Sequence, residues 1–177
     1  MTSTLTAPLQ SRTSSTSLDF EALYRAARDD VYAYVATMLR DRAAAEDVTA
    51  AAFERAYRKQ RLFKAARGTE RAWLFGIARN AALDELRRRK RAAALTAEPA
   101  DVDAALPEDS AEAALRRAAV RVALATLEPR ERELIALKFH AGLANAEIAT
   151  VLGVSVSNAG TQLHRAMTKL REAVEHA

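Results

Sequence analysis

Near the C-terminal end of the chain, polar side chains recur with a helical period. Ser157, Thr161, His164, Arg165 and Thr168 fall on one side of that period, and Ala159, Leu163, Ala166 and Leu170 recur at i, i+4, i+7 and i+11 on the other. A helix divided this way can pack its apolar stripe on a fold and turn donors and acceptors toward base edges in a DNA major groove. Arg165 suits guanine or a phosphate, Thr161 can donate to a base or to the backbone, and His164 can donate, accept or stack. Asn80, Asp84 and Arg87 share a second helical face at i, i+4 and i+7. They lead into an unbroken basic run, Arg87, Arg88, Arg89, Lys90 and Arg91. Cations at a helix C-terminus gain ~0.3–1 kcal/mol from the dipole, which accounts for one or two charges rather than a run. Arg87, Arg88 and Lys90 are therefore expected to meet phosphates without regard to sequence.

Other chemistries lack their residues. The chain has no Cys, which excludes disulfides, thiolate metal sites and a cysteine nucleophile. The three His residues are too scattered for a metal motif, and no carboxylate pairs with a nucleophile or a Gly-rich phosphate loop. No enzyme activity, cofactor or metal is expected. No apolar run approaches the roughly 20 residues that span a bilayer, and the first residues lack a signal peptide's charged and apolar regions. A cytoplasmic protein is expected, with no membrane partner.

The elements that must position these residues are helical. Five Gly and four Pro in 177 residues leave little for tight turns, and few aromatics accompany abundant Ala, Leu, Arg and Glu. Phe20, Leu23, Tyr24, Ala27, Val31, Tyr34, Val35 and Met38 keep helical spacing, and a second stripe runs through Val48, Ala52, Phe53, Ala56 and Tyr57. After a loop around Gly68, a third helix is predicted from about Glu70 to Arg91, with Trp73, Leu74, Ile77, Ala78 and Ala81 inward. Trp73 is most simply a core residue. Leu115, Ala119 and Val122 begin a further pattern, and Pro129 suits the first turn of a helix carrying Leu134, Ile135 and Phe139. Gly142 breaks the chain, a short helix passes through Ile148 and Leu152, Gly153 ends it, and Ser155 can cap the last helix. Two helices joined by a short Gly-containing turn make a helix-turn-helix.

A net charge of +4 conceals strong segregation. Residues 1–17 carry one Arg and ten Ser or Thr, a polar tail expected to be disordered. Residues 18–54 hold four basic and eight acidic side chains, whereas 55–91 hold thirteen basic and three acidic. Residues 92–112 have six acidic side chains, no basic one and two prolines, and 113–177 return to nine basic and six acidic. The expected organisation is all-α: a helical domain over 18–91, an acidic flexible linker over 92–112, and a helix-turn-helix domain over 113–177. As a coil the linker would span roughly 25 Å.

These blocks resemble bacterial RNA polymerase sigma factors of the extracytoplasmic-function group, over most of residues 18–175. The segment AEDVTAAAFERAYR (45–58) is similar to the family's polymerase-binding helix, and WLFGIARNAALDELRRRKR (73–91) to its downstream-promoter helix. LEPRERELIALKFHAGLANAEIATVLGVSVSNAGTQLHRAMTKLRE (127–172) is similar to the upstream-promoter domain. The resemblance implies a protein that binds core RNA polymerase, directs it to promoters and helps open the minus-ten region. Asp47, Phe53 and Arg55 match polymerase-binding positions, and Asn80 matches a residue that helps hold the promoter strand. The loop Leu62 to Thr69 matches the segment that captures a flipped base, for which Phe63, Lys64, Arg67 and Thr69 offer stacking and hydrogen-bonding groups. The last helix, with Ser157, Thr161, His164 and Arg165, would read duplex minus-thirty-five DNA. An anti-sigma protein is a further partner the family allows.

The chain departs from the family at two places. Ala50 and Ala51 stand where a Gln and a Glu commonly follow the acidic cluster, which removes polar contacts to polymerase. Gly160 and Gln162 stand where basic residues are common, and Gly160 could let the backbone approach the duplex. The competing readings are a stand-alone helix-turn-helix transcriptional regulator and a helical adaptor that sequesters another protein. A base-capturing first domain argues against the former, and the basic 55–91 block against the latter.

Overall fold

The computed structural model describes residues 18–93 and 111–175, the first seven of the second stretch by backbone alone. The tail 1–17 and residues 94–110 of the expected linker lie outside the described residues, as does the side chain of Leu115. The described residues form seven α-helices and no strand. They are α1 (Phe20–Leu39), α2 (Arg42–Lys59), α3 (Glu70–Ala93), α4 (Ala111–Thr126), α5 (Pro129–Phe139), α6 (Asn145–Leu152) and α7 (Val156–Glu175). The helices α3 and α4 thus extend into both ends of the expected linker, where 92–93 and 111–112 are rich in Ala, the strongest helix former.

Local chemistry sets the boundaries. Asp19 and Asp41 cap α1 and α2 by accepting the N–H groups of Ala22 and Ala44 at 3.0 and 3.1 Å. Between them Arg40 takes φ 54°, the one positive φ among the described non-glycine residues, and ends α1 in the left-handed manner. Two 3₁₀ turns, Gln60–Leu62 and Ala65–Arg67, lead to Gly68 at φ 138°, a backbone state that an L side chain rarely adopts. Thr69 Oγ1 then accepts the Ala72 N–H at 3.1 Å to start α3. Pro129 sits in the first turn of α5, and the Glu131 carboxylate reaches back to the Glu128 N–H at 3.0 Å. Gly153 ends α6 at φ 67°, and Ser155 Oγ accepts the Asn158 N–H at 3.2 Å to open α7.

Helices α1, α2 and α3 pack on one another, and α7 is backed by α4, α5 and α6. The two sets also meet, α5 lying on α1 and α6 on α3, so their buried side chains form a continuous cluster. This second layer explains where the buried faces differ from the sequence pattern. On α3 the buried residues are Ala72, Leu74, Phe75, Ala78, Ala81 and Ala82, whereas Trp73 and Ile77 are half-buried at the margin. The Phe75 ring meets the buried Tyr34 edge-on at 5.5 Å, and the Arg71 guanidinium lies 5.3 Å from its centroid. In α5 every residue from Glu133 to Leu137 is buried, as expected of a helix covered on two sides. Phe139, at its last position, is 60% exposed. Among the described side chains of α4, Ala123 is buried and Ala119 half-buried, while Val122 is exposed; Leu127, just past the helix, is buried. Tyr57 is likewise exposed, its ring edge-on to Phe20 at 5.2 Å.

Candidate nucleic-acid and polymerase surfaces

The α7 division holds in three dimensions. Ala159, Leu163 and Ala166 are buried, and Ser157, Thr161, His164 and Arg165 are exposed. Thr168 is half-buried and its hydroxyl donates to the His164 carbonyl at 3.1 Å, so that donor is spent within the helix. Gln162 donates its amide to Asn158 Oδ1 at 2.7 Å along one flank. Gly160 faces α6: a methyl group there would meet the Asn145 side-chain nitrogen at 3.6 Å, ordinary van der Waals contact. Its missing side chain therefore opens space beside α6, not along the outward face. Lys169 bonds Glu131, fixing α7 against the start of α5 and holding the Glu131 carboxyl below its usual range.

The α3 face carries a mixed population. Asn80 is exposed, and Asp84 lies between Arg55 of α2 at 3.9 Å and Arg87 at 3.1 Å. Arg88 pairs with Glu85 at 2.7 Å but remains largely exposed, as does Lys90. Arg89 behaves differently from its neighbours. Partly buried, it bridges Glu85 at 2.8 Å and Asp41 at 2.6 Å, tying the end of α3 to the start of α2. The Asp41 carboxyl is held below its ordinary range by the Ala44 N–H and then by Arg89, and that of Glu85 chiefly by Arg88. The basic run is thus not uniform: Arg87, Arg88 and Lys90 face water, and Arg89 holds the fold.

In the loop before α3, Lys64 and Arg67 are exposed, and Phe63 is half-buried with its ring 5.6 Å from Trp73. Thr69 does two jobs here: besides starting α3, its hydroxyl donates to Glu147 of α6. On α2, Asp47, Ala50, Ala51 and Arg55 share the exposed side, while Phe53 points the other way. The Phe53 ring is buried edge-on to Tyr24 at 4.8 Å and Phe20 at 6.4 Å. Phe53 therefore holds α1 on α2, and its ring lies on the side away from the exposed Asp47 and Arg55.

One cluster escaped the sequence reading. Glu133, 4% exposed, receives Arg79 Nε at 2.5 Å, Arg130 Nη1 at 3.1 Å and the Tyr34 hydroxyl at a long 3.4 Å. Burial, and then the Glu133 charge, push the Tyr34 hydroxyl well above its ordinary pKa. Nearby, Arg71 bonds Asp30 at 2.5 Å and the carbonyls of His140 and Ala141, while His140 Nε2 lies 3.3 Å from Thr37 Oγ1. Burial lowers the His140 pKa, opposed in part by Asp30. The uninterrupted apolar run Leu134–Leu137 was the signal that α5 is central, and Glu133 precedes it.

Comparison with known proteins agrees with this geometry. Residues 23–92 match the family Sigma-70 region 2, and residues 117–170 match Sigma-70, region 4. The chain is 33% identical over 156 residues to the ECF RNA polymerase sigma factor SigL of Mycobacterium tuberculosis, covering 85% of this chain and 88% of SigL. It is 35% identical over 154 residues to the ECF RNA polymerase sigma factor BldN of Streptomyces coelicolor, and spans 58% of BldN's length. In fold it is similar to the sigma factor RpoE of Bartonella quintana, solved with the anti-sigma factor NepR, at TM-score 0.75 and 22% identity over 89% of this chain and 97% of that one. CnrH, solved with the cytosolic domain of CnrY, superposes at TM-score 0.63 with 25% identity, over 89% and 88%. A match to region 2 alongside region 4 disfavours a stand-alone helix-turn-helix regulator. The chain belongs to the sigma-70 family, as an extracytoplasmic-function sigma factor that directs RNA polymerase to promoters and initiates transcription there.

Proposed function

We propose that the two helical sets divide the sigma-factor task, with residues 18–91 holding polymerase and the melted minus-ten strand, and residues 113–177 reading duplex minus-thirty-five DNA. Residues 92–112 serve as an acidic tether between them. Asp47 and Arg55 on the exposed side of α2 contact the polymerase, and Ala50 and Ala51 leave that surface with fewer polar contacts. Phe63, Lys64, Arg67, Thr69 and Asn80 engage the displaced strand, Asp84 orients Arg55 and Arg87, and Arg87, Arg88 and Lys90 attract phosphates. Ser157, Thr161, His164 and Arg165 enter the major groove. The protein works in the cytoplasm with polymerase, with no catalytic step or cofactor of its own. An anti-sigma protein restrains it, by analogy with the complexes in which RpoE and CnrH were solved.

The observation that carries this reading is α7, whose buried stripe and exposed polar face are cleanly separated. The test is transcription by holoenzyme reconstituted from this chain and core polymerase, on promoters with intact or scrambled upstream elements. Scrambling should cut initiation with the wild-type chain and do little further harm with Arg165→Ala. Equal sensitivity of the two proteins would remove Arg165 from the interface, and initiation without promoter dependence would overturn the whole reading.

A further inference from the structure

Two valines flank the capping residue Ser155, and the fold treats them oppositely. Val154 is half-buried against the core, and its N–H donates to the Ala149 carbonyl at 3.0 Å, closing the turn after α6. Val156, the first residue of α7, is 52% exposed. Neither burial nor helix propensity favours a valine there, since a β-branched side chain is only a moderate helix former. Its surroundings narrow what it can meet. The Ser155 hydroxyl is occupied by the Asn158 N–H, and the Asn158 and Gln162 amides are bonded to each other. The first turn of α7 therefore leaves the Val156 methyls open to solvent, one position before the exposed Ser157.

In a helix-turn-helix the N-terminal residues of the second helix meet base edges. Of the four bases, thymine alone carries an apolar group into the major groove, its C5 methyl, and apolar side chains pair with it. We propose that Val156 reads a thymine of the duplex upstream promoter element by packing against that methyl, while Ser157 and Thr161 bond to neighbouring base or phosphate groups. The inference rests on the placement of α7 in the major groove given above and names a specificity-determining residue within it. A valine discriminates in two ways: it rewards the methyl, and it leaves the cytosine amino group without a partner once water is displaced.

Deoxyuridine tests this directly, because it keeps thymine's pairing and lacks the methyl. A promoter is selected with wild-type holoenzyme from a library randomised across the upstream element, and each thymine of the selected duplex is then replaced in turn. One position should lose about four-fold in initiation with the wild-type chain, the worth of one buried methyl group, and close to nothing with Val156→Ala. The quantity compared is the thymine-to-deoxyuridine ratio within each protein, so a folding defect in the variant cancels. A wild-type holoenzyme indifferent to deoxyuridine at every position, or an unchanged ratio in Val156→Ala, overturns the assignment. Selection that returns no upstream element at all overturns the parent reading, and this one with it.

Discussion

Replacing Glu133 by Ala should loosen the seam between the two helical sets more than any other single truncation of a charged residue. The carboxylate is 4% exposed and accepts from Arg79, Arg130 and Tyr34, so its loss strands groups on both sides. The Arg79 side chain is 18% exposed and would keep its charge with little water to solvate it, and the Tyr34 hydroxyl is fully buried. Removing one partner of a buried pair costs about 3–5 kcal/mol, and an unsatisfied buried hydroxyl about 1–3 kcal/mol. Partial exposure of Arg79 and the long Tyr34 hydrogen bond argue for the lower part of that range, about 3 kcal/mol. Arg130→Ala should cost under about 1 kcal/mol, because that side chain is 37% exposed and Glu133 would keep Arg79. Urea unfolding followed by the fluorescence of Trp73 measures both variants, and amide hydrogen exchange in α1 and α5 localises the effect. An Arg79→Ala, Glu133→Ala double-mutant cycle should yield a coupling well above 1 kcal/mol. Equal costs for Glu133→Ala and Arg130→Ala, or a coupling near zero, would refute the argument from burial.

Phe53→Ala should destabilise the protein by about 3–5 kcal/mol through removal of its packing on Phe20 and Tyr24. Asp47→Ala and Arg55→Ala should instead weaken core-polymerase capture in a pull-down with melting temperatures nearly unchanged. Neutralising Arg87, Arg88 and Lys90 together should flatten the slope of log affinity against log salt for holoenzyme on promoter DNA, by roughly 0.9 for each duplex phosphate these side chains neutralise. Arg89→Ala should leave that slope alone and lower the melting temperature, because Arg89 joins α3 to Asp41. Acid should destabilise the fold in a defined order. Asp41, Glu85 and Glu131 have folded pKa values below their unfolded ones, so their contribution is complete above about pH 4.5 and is lost as pH falls through the folded values. His140, lowered by burial, begins to subtract stability earlier, below about pH 6.5, because the unfolded chain takes up its proton first. Asp41→Asn should therefore flatten the acid limb of a stability-against-pH curve while leaving the His140 portion in place.

The helices and the outward face of α7 are legible in the order of residues alone. Short-range chemistry sets those features: Asp19, Asp41 and Ser155 bond amides three residues away, Pro129 and Gly153 sit where their backbone restrictions require, and a 3.6-residue period names an apolar side. The family was legible for the same reason, since its motifs are contiguous blocks on single helices. What a period cannot say is whether a second layer will cover the opposite flank. That was decided when α5 settled on α1 and α6 on α3, burying Phe75 and Ala82, leaving Trp73 half-exposed, and enclosing Glu133 with a tyrosine 99 positions away. Tertiary packing likewise turned Phe53 inward and drew Arg89 out of a basic run that reads as uniform in one dimension. Nor could composition separate Val154 from Val156, two residues apart: only the turn that seats the first against the core leaves the second exposed at the start of α7.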